Sequence, residues 1–99
     1  MSAELRIRAL VPAEHPSLIG HFPGRPIVPG VVMLECVAAA VCATSGAARI
    51  SGVPTVKFLQ VLLPAQAFEI VLEQVSATLW KFRCESRGGV LAQGSISLA

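Results

Sequence analysis

The chain has 99 residues, 54% of them hydrophobic and only 14% charged, with a formal net charge of +2. That length holds one core and is too short for two, and so apolar a composition in so small a protein implies that a second subunit covers part of its surface. The basic residues form no run and tyrosine is absent, which excludes a nucleic-acid footprint while leaving an acidic partner open.

In MSAELRIRALVP, Glu4, Arg6 and Arg8 alternate with Leu5, Ile7 and Ala9, the period of a half-buried strand. A strand is predicted over residues 4–11, stopped by Pro12. The same charges break the apolar core that a signal peptide needs, so a cytoplasmic protein is expected. From 13 to 30 the chain carries Pro16, Pro23, Pro26 and Pro29 with Gly20, Gly24 and Gly30, which predicts an ordered, non-helical loop. VVMLECVAAAVCATSG then favours a helix over about 31–45, with Gly46 as its stop. Apart from Glu35 its circumference is small or apolar, so it is expected to be wrapped by the rest of the protein. The uncharged run from Cys36 to Ala48 would span only about 20 Å as a helix, short of the roughly 30 Å of a bilayer core, so no membrane span is expected.

After a turn at SGVP, strands are predicted at 55–62, 67–74, 78–86 and 90–98, punctuated by Pro64, the 75–77 region and Gly88-Gly89. Short connections make neighbouring strands antiparallel. One strand, one buried helix and a four-stranded meander define an α+β class, an antiparallel sheet curled around a central helix, in a single domain over 1–99. Cys36, Cys42 and Cys84 are an odd number and read as reduced core thiols. His15 and His21 have no neighbouring Cys or Asp to complete a ligand set, so no metal is expected.

The segment HFPGRPIVPGVVMLE, from His21 to Glu35, concentrates the candidate chemistry. Taken singly its residues have plain readings: His21 as a loop histidine, Gly30 as a helix-start residue, Glu35 as a carboxylate at the rim of the helix reaching water or an arginine. Trp80 and Phe82 read as packing on one strand face, and Cys36, with no cation or base beside it in sequence, as structural. Together they offer more. A proline-stiffened loop presents a histidine, ends at a helix N-terminus with free N–H groups, and is followed about a turn later by an acid.

This segment resembles the active-site motif of the hot-dog fold 3-hydroxyacyl-[acyl carrier protein] dehydratases: a histidine, then F-P-G-x-P-x-x-P-G, then an acid fourteen residues after the histidine. His21, Phe22, Pro23, Gly24, Pro26, Pro29, Gly30 and Glu35 match it without a gap. Similarity extends back through Val11 and, more loosely, forward through VKFLQVLLPAQAFEIVLE. Longer members carry a helix before the strand at which this chain starts.

The resemblance implies a helix wrapped by a five- or six-stranded sheet and a dimer with two sites at its interface. It implies His21 as the base that removes the α-proton and Glu35 as the acid at the departing hydroxyl. Gly30, with Val31, would supply the N–H groups that hold the thioester oxygen. A carboxyl enclosed by apolar groups keeps its proton near neutral pH, which suits that role for Glu35. No metal or redox cofactor is implied; the substrate arrives on the phosphopantetheine of an acyl carrier protein, in fatty acid, polyketide-like or aryl polyene biosynthesis. The partner is a second copy or a related hot-dog subunit. The alternatives are a hot-dog acyl thioesterase and a non-catalytic subunit of a heterodimeric dehydratase.

Overall fold

The computed structural model describes residues 4–12, 27–46 and 49–99. Its elements in chain order are β1 (Glu4–Ala9), α1 (Gly30–Ser45), β2 (Ile50–Phe58), β3 (Phe68–Gln74), β4 (Leu79–Ser86) and β5 (Gly89–Leu98). All five strands belong to one antiparallel sheet in the order β1-β3-β4-β5-β2, with the helix packed on one face. This is the hot-dog arrangement.

Alternation decides which side chains meet the helix. Phe68, Ile70 and Leu72 of β3, Trp80, Phe82 and Cys84 of β4, and Ala92, Ile96 and Leu98 of β5 are buried with Val32, Met33, Val37 and Val41 of α1. The shared inward face of Trp80 and Phe82 is as predicted. The outer face is ionic. Arg6 lies opposite Val71, and Val71 opposite Arg83; Val71 points outward yet is buried, as it is where arginine stems cross it. Arg6 reaches Glu85 at 3.2 Å and Glu69 at 3.5 Å, and Arg83 reaches Glu4 at 3.3 Å and also pairs with Glu85.

The connections follow local chemistry. Arg87 and Gly88 both have positive φ, 53° and 76°, which makes the two-residue turn between β4 and β5 one whose twist suits a hairpin. Gly46, at φ 73°, ends the helix in the left-handed region and donates its N–H to the Cys42 carbonyl at 2.9 Å.

Three expectations are corrected. SGVP is not a turn: β2 begins at Ile50 and runs through it, stopping at Phe58. An edge strand tolerates Pro54, and its ladder shifts register between Ile50 and Gly52 and again between Gly52 and Thr55. The four later strands are not one meander, because β2 pairs with β5 rather than β3. Gly94 permits this, since a Cβ there would stand 2.2 Å from the Thr55 carbonyl oxygen. Finally, the described residues cover the helix on one side only. Val31, Glu35, Ala39 and Ala43 form a stripe exposed to solvent, because one sheet covers one side of a helix only.

Candidate active site

Helix α1 starts where the chain is pinned to the segment between β2 and β3. Val28 donates its N–H to the Leu62 carbonyl at 2.9 Å, and both side chains are buried. Pro29 is the N-cap, extended at φ −60° and ψ 145°, with no side-chain cap. Its carbonyl accepts from Val32 N–H at 3.0 Å and more weakly from Met33 N–H at 3.4 Å. Among the described residues the Gly30 and Val31 N–H groups have no acceptor. Two donors with the positive end of the helix dipole behind them are suited to an oxygen that gains negative charge.

Gly30 is required by space. A Cβ at this position would stand 2.7 Å from Cζ and 2.8 Å from Cε1 of Phe58, so the ring tip lies against the first turn of the helix. Glu35 follows Val31 by four positions and shares its open stripe. It makes no hydrogen bond or ion pair with a described residue. The apolar enclosure expected around Glu35 is therefore not supplied by the described residues, and Glu35 is exposed.

Gly30, Val31 and Glu35 are thus gathered on the first two turns of one helix. His21, His15 and the Phe22–Pro26 part of the motif lie outside the described residues. Sequence reasoning missed Phe58, whose approach to Gly30 is a tertiary contact between positions far apart in the chain. The cysteines fit their structural reading. All three are free; burial, then the neighbouring Glu35, pushes the Cys36 thiol up, and burial, then Cys36, pushes Cys84 up to about 12. Protonated thiols are poor nucleophiles.

A cleft of about 530 Å³ lies elsewhere, on the outer face of the sheet, lined by Lys57, Lys81, Arg83, Glu4 and Glu73 among others. It is on the side of the sheet away from Glu35, and the Arg83–Glu4 ion pair forms part of its wall. Hydrogen bonding from Arg83, reinforced by Arg6, holds the Glu85 carboxyl below the usual carboxylate range against a smaller opposing effect of desolvation. Glu85, then Glu4, raises Arg83 in return. No described helix is long and apolar enough to cross a membrane.

Residues 1–95 match the model of a family described as ApeI-like, the ApeI dehydratases. Among curated relatives, a 3-hydroxyacyl-[acyl-carrier-protein] dehydratase FabZ of Rhizobium rhizogenes is 33% identical over 100 aligned positions, and one of Sinorhizobium medicae is 32% identical over 98. Each alignment takes in 87% of this chain but only 62% and 64% of the relative, so the chain spans less than two thirds of their length. Among solved structures, the dehydratase heterocomplex ApeI:P from Xenorhabdus doucetiae superposes with a TM-score of 0.84 at 24% identity, over 97% of this chain and 87% of that one. An uncharacterized protein from Erwinia carotovora subsp. atroseptica does so with a TM-score of 0.78 at 20% identity, over 99% and 84%. These two likenesses establish the fold.

Proposed function

This chain belongs to the ApeI-like dehydratase family, and from that premise we propose that it converts 3-hydroxyacyl thioesters into trans-2-enoyl thioesters. The acyl group is carried on the phosphopantetheine arm of an acyl carrier protein, in fatty acid, polyketide-like or aryl polyene biosynthesis. His21 takes the proton from C2, and the electron pair left behind builds enolate character on the thioester oxygen held by the Gly30 and Val31 N–H groups. The C2–C3 double bond then forms as the C3–O bond breaks, and Glu35 donates the proton with which the hydroxyl leaves as water. The elimination is redox-neutral, and its proton transfers are within the reach of side chains, so it calls for neither a metal nor a redox cofactor.

The observation that carries this reading is the helix start itself: two N–H groups without an acceptor among the described residues, and a carboxyl about one turn later on the same open side.

The working unit in this proposal is a single-domain, cytoplasmic chain that dimerises with a second copy or with a related hot-dog subunit, a reading supported by its likeness to a dehydratase heterocomplex, ApeI:P of Xenorhabdus doucetiae. Exposed Val53, Val56 and Phe58 on the edge strand, with Val31 on the helix, supply an apolar surface for that partner. The partner's cover would enclose Glu35, and the histidine of one subunit would meet the acid of the other.

The test is incubation of the purified protein with a panel of 3-hydroxyacyl carrier thioesters, followed by mass. Loss of one water from the acyl group is expected. Release of free carrier thiol would replace the reading with a thioesterase, and inertness until a second hot-dog chain is added would assign this chain the role of a subunit that depends on its partner.

A further inference from the structure

We propose that Phe58 is a positioning residue for this reaction and sets how large a substituent is tolerated at C2 of the substrate, an inference that rests on the dehydratase reading above. Phe58 is the last residue of β2, and the chain just beyond it is fixed, since the Leu59 and Gln60 N–H groups both donate to the Leu91 carbonyl, at 2.8 and 3.1 Å. Its ring tip occupies the space that a side chain at position 30 would need. Standard backbone dimensions place a residue's amide nitrogen about 2.5 Å from its Cβ, so the tip lies within about 5 Å of the Gly30 nitrogen. An oxygen accepting from that N–H at about 2.9 Å is held at the same helix start as the ring. The carbonyl carbon's two substituents, the thioester sulfur and C2, are the next atoms outward.

The ring is not consumed by packing. Phe68 and Phe82, on the same sheet, are 2% and 3% exposed, whereas Phe58 is 48% exposed while still touching the helix start. The ring tip is seated on Gly30, and about half of the residue is still open to solvent beside the helix start. A flat apolar group so placed keeps water from the oxygen that develops charge and leaves little room beside C2, the carbon that loses its proton.

The experiment compares kcat/KM for the pantetheine thioesters of 3-hydroxybutyrate and 2-methyl-3-hydroxybutyrate in the wild type, Phe58→Ala and Phe58→Leu, with folding followed by circular dichroism. The wild type should favour the unbranched substrate. Phe58→Ala should shift the ratio toward the branched one by about tenfold or more, the discrimination a single methyl group commands in an apolar site, with Phe58→Leu in between. A ring that only braced the helix or a subunit contact would change both rates together and leave the ratio fixed. An unchanged ratio in folded, active variants overturns the assignment, and so does loss of both substrates in both folded variants, since trimming a wall widens a site. If the wild type forms no enoyl product from either compound, alone or with a second hot-dog chain added, the dehydratase reading has failed and takes this inference with it.

Discussion

The two faces of the sheet solve the same problem differently. On the outer face, Arg6 and Arg83 are matched to Glu4, Glu69 and Glu85 within the chain, and apolar Val71 is buried among them. On the inner side, the open stripe of α1 leaves Val31 62% exposed along with Glu35, and the free edge of β2 exposes Val53, Val56 and Phe58. A face that ends in solvated ion pairs is finished when the chain folds. A face that ends in uncovered valines and a half-seated phenylalanine is finished only by another surface, and the candidate chemistry stands on the unfinished side.

Changes on the two sides should therefore have different consequences. The largest is expected from His21→Ala, which should lower enoyl formation by about 10² to 10⁴ through loss of a general base while the circular dichroism spectrum stays unchanged. Glu35→Gln should bring a loss of comparable size with little change in melting temperature, because the carboxyl is exposed in the chain; a mutant that unfolds but keeps its specific activity would make Glu35 structural instead. Gly94→Ala sits where β5 and β2 approach most closely and drives a methyl group into the Thr55 carbonyl. It should cost about 1–3 kcal/mol in denaturant unfolding, and activity should fall with it if β2 is the edge that carries the site.

The smallest effect belongs to the outer face. Glu85 is held below its ordinary carboxylate range by Arg83 and Arg6, so its contribution to stability is present above that range and fades as acid protonates it. Because the group is at the surface, Glu85→Gln should cost about 1 kcal/mol or less at neutral pH, and the difference from wild type should shrink in high salt and in acid. A larger, salt-independent loss would mean that the outer face is also a contact surface.

Much of this was legible in the sequence, for reasons that also explain the misses. Helix α1 announced itself by Pro29 before it and Gly46 after it, and β3, β4 and β5 by the breaks at Pro64, the 75–77 region and Gly88-Gly89. The start of β2 was hidden because Gly52 and Pro54 are turn residues anywhere but on a bulged edge strand. Its pairing with β5 depends on Gly94, far along the chain, and no local pattern carries that. An all-apolar helix looks the same in sequence whether its own chain or another covers it, which is why the open stripe was not foreseen. Phe58 was illegible for a related reason: its importance comes from standing where Gly30 has no side chain.

The central claim is that dehydration takes place at a site completed across two subunits, and mixing two inactive proteins tests it most directly. His21→Ala and Glu35→Gln homodimers, exchanged to equilibrium and checked by native mass spectrometry, should give half mixed dimers, each with one intact site, and so about a quarter of wild-type enoyl formation. Mixed dimers that recover no activity would contradict a site shared between protomers.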